Sequence, residues 1–214
     1  MAKFGAAQGV GQGRREDIRF LTGKGGFVDD VVPPGALHCH FLRANRAHAR
    51  IVSMDLAAAR ALNGVHLVLA SDDLLALGLA PGGPQVHPEA PGNLAFDYVT
   101  GDEAAVAQAL AGSAHRVAVE VAHNRIIAAS LEPRGAFAEW DGARLHLCVS
   151  GQGVWVQKAE LGRMLNLPEA AVRVTNPDVG GGFGMKAMTY PEYVVIAAAA
   201  RVLGRPLRWM SDRA

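Results

Sequence analysis

An α+β fold is what this 214-residue sequence predicts. Three features predict it: compact β-α-β-α punctuation in the first third, a hairpin signal at Asp141-Gly142, and a helix with start and stop residues at its two ends, followed by a strand. Residues 1–13 are rich in small side chains and carry no period, which predicts a flexible arm, 1–16, ahead of the ordered chain. Leu37, Cys39 and Phe41 alternate with His38 and His40, and 51–54 are apolar or β-branched, so two strands are expected there. Asp55 is placed to cap a helix over 56–62 that Asn63-Gly64 ends. A strand over 65–70 follows, and Ser71 is placed to cap another helical turn. Between 79 and 100, proline and glycine turns such as PGGP and APGN break every period. That stretch reads as a linker between a first domain, 17–78, and a second, 101–214.

In the second domain Asp102 is a cap for a helix with Val106, Ala109 and Leu110 on one face and Gly112 at its end. Strands are expected at 117–121 and 126–129. Residues 136–140 and 144–149 flank Asp141-Gly142 as a hairpin. Leu161, Met164 and Leu165 mark a helix stopped by Pro168, and 172–174 is a strand. The last helix has Thr189 and Glu192 spaced as a capping box, Pro191 in its first turn, and Gly204 with Pro206 at its end. Its alanine-rich face predicts close approach to a sheet, with 207–210 as the next strand.

Charge and cysteine usage exclude several classes of function. The 21 basic and 20 acidic residues are spread along the chain, leaving no stripe to attract nucleic acid or an anionic membrane. The most apolar late run, 194–203, is interrupted by Arg201 and far too short for a bilayer, and the start lacks a secretory apolar core, so a cytoplasmic location is expected. Cys39 and Cys148 read as separate buried thiols, and two cysteines cannot hold an iron–sulfur cluster within this chain. His38 and His40 would share a strand face, but no third ligand is evident, so a half-exposed strand is the better reading. Glu132 and Arg134 could pair with each other, structurally or functionally. Trp155 is expected to pack in the core.

The segment richest in chemistry is PDVGGGFGMK at 177–186, between a strand and the well-bounded helix. Four glycines around one phenylalanine let backbone amides approach a ligand without a Cβ in the way, which suits an anion or oxo group. It is not a nucleotide loop. Met185 precedes Lys186 and Ala187 follows it, so the Walker A pattern fails, and the dinucleotide spacing G-x-G-x-x-G does not align. A ligand-free glycine connection remains the alternative on these residues alone.

Five ordered segments give this loop a context. They are GRREDIRFLTGKGGFVDD at 13–30, RANRAHARIVSMDLAAARALNGV at 43–65, HPEAPGN at 87–93, LEPRGAF at 131–137, and PDVGGGFGMK followed by GRPLRWMSDR. Together they resemble the large, molybdopterin-binding subunits of the xanthine dehydrogenase, aldehyde oxidase and carbon monoxide dehydrogenase family of molybdenum hydroxylases. The resemblance implies a partial α/β hammerhead domain followed by the start of a mixed α/β molybdenum-cofactor-binding domain. It also implies a molybdenum–molybdopterin cofactor in the cytosine dinucleotide form, with FAD and [2Fe-2S] on partner subunits, a small-molecule substrate, and neither nucleic acid nor membrane as partner.

By the same resemblance Gln152, in VSGQGVW, donates to an oxo ligand of molybdenum, and the loop's Gly181, Gly182, Phe183 and Gly184 contact the cofactor through main-chain groups. Gln152 and Phe183 would stand next to the metal without ligating it. Three departures shape the expectation. Met185 replaces a usual glycine, Ala187 replaces the acidic residue of purine-oxidising members, and several dozen hammerhead residues are absent between Leu77 and His87. The family's catalytic glutamate and later pterin-binding segments have no match before Ala214, so the chain is expected to be an N-terminal portion with no catalytic residue of its own. The rest of the molybdenum subunit would then be a partner.

Overall fold

The computed structural model describes residues 14–46, 49–79, 98–122, 124 and 126–212. Most of the expected arm, the central linker stretch 80–97 and the HPEAPGN segment lie outside the described residues. The chain forms two compact units, 1–81 with 128–214, and 82–127.

The larger unit is organised by a five-stranded mixed sheet in the order β1-β5-β2-β3-β4. Its strands are β1 (Leu37–His38), β2 (Gly135–Trp140), β3 (Leu145–Val149), β4 (Val172–Thr175) and β5 (Leu207–Met210). β2 and β3 form the expected antiparallel hairpin, with Ala136 opposite Val149 and Trp140 opposite Leu145. At the turn Gly142 adopts φ +99°, and Asp141 Oδ1 accepts from the Ala143 and Arg144 amides, which fixes the register chemically. β4 runs parallel to β3, β5 antiparallel to β2, and β1 parallel to β5.

Strand alternation decides the two faces. Ala136, Ala138, Leu145, Leu147, Val149 and Trp209 point to one side and join the main core with Leu161 and Met164 of α5 (Trp155–Met164) and with α6 (Pro191–Leu203). Tyr193, Ile196, Ala197 and Ala200 of α6 are buried, so its small side chains bring it close to the sheet as its sequence predicts. On the opposite face Phe137 and Cys148 pack with Val28 of a short 3₁₀ turn (Val28–Asp30). Cys39 and Cys148 are free thiols whose pKa values are pushed up by burial, that of Cys39 to about 11.

Four further short helices complete the described elements: α1 (Asp17–Leu21), α2 (Ala57–Ala61), α3 (Ser71–Ala76) and, in the smaller unit, α4 (Glu103–Ala111). Asp55 accepts from the Ala57 amide and Asp102 from Ala105, both 2.9 Å, as expected of the two aspartates. Ser71 does not cap α3: Asp73 accepts from the Ala70 amide instead, at 2.8 Å. The expected strands at 51–54, 65–70, 117–121 and 126–129 form no ladder among the described residues. Val117, Val119 and Val121 are exposed, as are Ile51 and Val52, so a strand pattern is present without a neighbour to pair with.

Two sequence expectations near α6 are also overturned. No side chain caps its first turn, and the Thr189 hydroxyl is buried without a partner. Glu192 is drawn away from a capping box by the guanidinium groups of Arg43 and Arg134. Burial, the largest single influence on Glu192, raises its pKa, but the two arginines outweigh it and hold the carboxyl below its ordinary value. Trp155 is 76% exposed at the start of α5, so it is not a core residue. Among the described residues no helix is long and apolar enough to cross a membrane, and no group of three or more His, Cys, Asp or Glu could hold a metal.

Candidate cofactor site

The glycine loop emerges from the end of β4, beside the end of β3, and leads into α6. Its backbone is unusual in a way the sequence explains. Gly181 (φ +100°), Phe183 (φ +53°) and Gly184 (φ +82°) take left-handed conformations, and a non-glycine residue at positive φ is rare enough to mark a constrained site. Three glycines also make room for neighbours. A Cβ on Gly180 would lie 2.5 Å from Glu132 Cβ, on Gly181 3.1 Å from Ser130 Cβ, and on Gly182 2.4 Å from Gln152 Cδ.

Gln152 is therefore packed directly against the loop. Its amide N–H donates to the Lys186 carbonyl and its Oε1 accepts from the Lys186 N–H, both at 3.1 Å. A backbone N–H can only donate, so the carboxamide oxygen must face Lys186 and the Nε2 donor is directed away from it. The backbone N–H groups of Gly181, Gly182, Phe183 and Gly184 have no acceptor among the described residues. Phe183 is 74% exposed and Gly184 is also exposed, so the loop tip faces outward. Four successive amides without a protein acceptor among the described residues, three of them on residues at positive φ, offer donors to anionic or oxo groups, and Gln152 stands at their side.

Behind the loop lies a polar anchor that sequence reasoning only partly anticipated. Lys186 is fully buried, and its Nζ donates to Glu132 Oε2 (2.8 Å) and Ser150 Oγ (2.7 Å). The same carboxylate oxygen accepts from Ser150 Oγ (2.5 Å) and from the Gly180 amide (2.8 Å), while the Glu132 amide donates to the Gly180 carbonyl (3.2 Å). Glu132 and Arg134 thus do not pair with each other. Arg134 instead reaches Glu192 at 3.3 Å and lies over the Tyr190 ring, with its guanidinium carbon 3.7 Å from the centroid. Residues two apart on a regular strand would share a face, but Glu132 lies in a bend ahead of β2, which lets the two side chains diverge.

Asp178 anchors the front of the loop. It takes a two-pronged contact from Arg19 of α1 and a hydrogen bond from the Gly26 amide at 2.7 Å, and together these hold its carboxyl near a pKa of about 2. An open concavity of about 550 Å³ lies alongside, lined by Phe20, Gly25, Phe27, Val179 and Gly180 among others. Gly151 is flanked by Asn176, whose Nδ2 donates to its carbonyl at 2.9 Å, and by buried Gln157, whose amide atoms have no partner among the described residues. Neither side chain carried a sequence signal, because each lies in an otherwise ordinary element.

Comparison with known proteins places this geometry. A family model described as molybdopterin cofactor-binding domain matches residues 86–214, and one described as aldehyde oxidase and xanthine dehydrogenase, a/b hammerhead domain, matches 22–128. The chain belongs to the molybdopterin-binding large-subunit family of molybdenum hydroxylases. Within this family it is 28% identical to the carbon monoxide dehydrogenase large chain of Hydrogenophaga pseudoflava, over 93% of this chain and 34% of that one. It is 30% identical to the nicotine 6-hydroxylase large subunit of Paenarthrobacter nicotinovorans, over 94% of this chain and 33% of that one.

Among solved structures, quinoline 2-oxidoreductase from Pseudomonas putida 86 matches with a TM-score of 0.72 at 31% identity, covering 94% of this chain and 34% of that one. The chain spans about a third of the length of these molybdenum-hydroxylase relatives. The alignment to the carbon monoxide dehydrogenase chain runs over 274 positions, whereas 93% of 214 residues is about 199, so roughly 75 positions are internal gaps. An oxygen-rich cofactor fits the donors at the exposed loop tip, the N–H groups of 181–184 and the Gln152 carboxamide nitrogen, while the unpartnered acceptors Glu132 Oε1, Gln157 Oε1 and Asn176 Oδ1 are buried.

Proposed function

We propose that this chain forms a partial hammerhead and one wall of the cofactor site in a molybdenum hydroxylase, which transfers water-derived oxygen to a C–H carbon of an aldehyde or N-heterocycle. Electrons would pass to [2Fe-2S] and FAD on partner subunits, and the remaining part of the molybdenum subunit would close the site. When bound, the molybdenum–molybdopterin group, in its cytosine dinucleotide form, supplies the two-electron oxidation. The reading is supported by the packing of the Gln152 side chain against Gly182 and by the exposed loop tip, where the amides of Gly181, Gly182, Phe183 and Gly184 have no acceptor among the described residues. Gln152 would hold the group by donating through Nε2 to one of its oxygens, and the loop amides would do the same from the main chain. Gln152 and Phe183 would stand beside the metal without ligating it.

The relatives named for nicotine and quinoline support an N-heterocyclic substrate, and Ala187, in place of an acidic side chain, argues against a purine. In this proposal residues 1–16 are an arm, 17–78 the partial hammerhead, 79–100 the linker and 101–214 the start of the cofactor domain, in a cytoplasmic protein. A second reading, a non-catalytic chain that packs against a longer molybdenum subunit, is favoured by the roughly 75 internal gap positions and by the exposed Val117, Val119 and Val121. An electron-acceptor dye assay with aldehyde and N-heterocycle substrates, on chain purified with and without its neighbours, separates the two. Activity that falls about 10²–10³-fold in Gln152→Leu supports the first reading. Activity indifferent to that substitution supports the second.

A further inference from the structure

We propose that Glu132 and Lys186 form an internal clamp that fixes the glycine loop before any ligand arrives, making them positioning residues for its amides. The inference rests on the reading of that loop as a cofactor receptor. Its basis is geometric: one carboxylate oxygen holds both ends of the loop. Glu132 Oε2 receives the Gly180 amide at the loop's start and the Lys186 ammonium at its end, each at 2.8 Å. Ser150 Oγ, at the end of β3, adds a third donor and also accepts from Lys186, which ties the pair to the sheet.

The reciprocal bond from the Glu132 amide to the Gly180 carbonyl fixes the direction of the first peptide, and Gln152 brackets the Lys186 peptide from the other side. The span between these anchors contains Gly181, Gly182 and Gly184, residues with the widest conformational freedom of any. A chain of that composition would not keep its four amides in one arrangement unless its ends were held.

Burial supports a positioning role over a stabilising one. The Lys186 side chain is fully buried and that of Glu132 is 9% exposed. Removing two charges from water costs about as much as their attraction returns, so a buried pair of this kind is a poor source of stability. What it can supply is uniqueness, because a buried ammonium tolerates few alternative placements. The same short segment also presents Arg134 to Glu192 and Tyr190 at the start of α6, and Tyr190 Oη donates to the Met185 carbonyl. The loop's exit is therefore held from the helix side as well.

The test compares the full chain with the double variant Glu132→Gln/Lys186→Met, which removes both charges together and leaves neither stranded. Backbone ¹⁵N relaxation is recorded without cofactor. The clamp predicts that residues 181–184 have order parameters near ~0.85 in the parent and fall below ~0.6 in the variant, while β2, β3 and α6 stay rigid. A loop that is equally ordered in both proteins, or already loose in the parent, overturns the proposal.

Should the double variant not fold, Ser150→Ala removes one donor without unpairing a charge. Amide exchange at Gly180 and Lys186 is then expected to quicken about 5-fold, and unchanged exchange overturns the clamp. Molybdenum retention is measured in parallel. A loosened loop with at least ~10-fold less retained metal supports the full proposal, that factor corresponding to a tenfold change in binding equilibrium. A loosened loop with unchanged retention overturns the positioning role. A parent chain that holds no metal either alone or with its neighbouring subunits sinks the cofactor reading, yet leaves the relaxation result to decide the clamp.

Discussion

At the residue scale, Gly182 shows why a glycine-rich string is needed here. A methyl at that position would lie 2.4 Å from Gln152 Cδ, and the Gln152 side chain is exposed and free to swing away. Gly182→Ala should therefore break the Gln152–Lys186 hydrogen bond with little loss of stability. Exchange at the Lys186 amide should quicken about 5-fold, the equivalent of ~1 kcal/mol, while the unfolding midpoint barely moves; unchanged exchange would contradict the assignment. Asp178 gives a pH prediction. Its carboxyl is held at about 2, first by Arg19 and then by the Gly26 amide, against an ordinary 3.8. The contact to α1 thus contributes fully above the ordinary value and is lost as pH falls through about 2. A ¹³C titration of Asp178 should show that low midpoint, and Arg19→Gln should return it toward 3.8; a parent midpoint near 3.8 would contradict the latch. The glycines stand out in the sequence because their type is conformationally specific, whereas Gln152 is picked out only by its order relative to LEPRG and GGGFG in the family resemblance. Lys186 does not, since a lysine in a row of letters carries no sign of burial, and its partner Glu132 lies 54 positions away.

At the element scale, the parts read correctly from sequence are those fixed by local chemistry. The Asp141-Gly142 hairpin, the Asp102 cap and the Gly204 stop (φ +58°) each depend on residues within a turn of one another. The α6 capping box fails for the opposite reason. Arg43 and Arg134, remote in sequence, recruit Glu192, and a buried ion pair outcompetes an N-terminal hydrogen bond. Thr189→Ala tests this. A functional cap would lose about 0.5–2 kcal/mol on truncation, whereas removing a buried, unpartnered hydroxyl should leave stability unchanged or raise it. Denaturant unfolding distinguishes the two, and a loss of ~1 kcal/mol or more would restore the cap. The strands expected at 51–54, 65–70, 117–121 and 126–129 have strand-like composition without forming a ladder among the described residues. A strand needs a neighbour, and pairing partners are not encoded in its own letters.

At the scale of the whole molecule, stability belongs to the sheet with α5 and α6, and exposed strand-like segments contribute little. Leu147→Ala, at a fully buried position, should cost about 2–5 kcal/mol in denaturant unfolding, whereas Val119→Ser, at an exposed one, should change it by less than ~0.5 kcal/mol. Comparable losses would mean that 117–121 pairs within the chain. The family is legible across the chain because its motifs are ordered and specific, and both family models agree with that reading. The substrate is not legible, because no residue described at the loop is chemically selective for one carbon acid over another. The central claim is that the amides of 181–184 and Gln152 receive a molybdenum cofactor. Its most direct test is molybdenum and pterin content by metal analysis of the full chain, purified from a host that makes the cofactor, with and without co-expressed neighbouring subunits. The account predicts metal and pterin in matching amounts, sharply reduced by Gln152→Leu with Gly182→Ala. Their absence from both preparations, or retention indifferent to those substitutions, would contradict it.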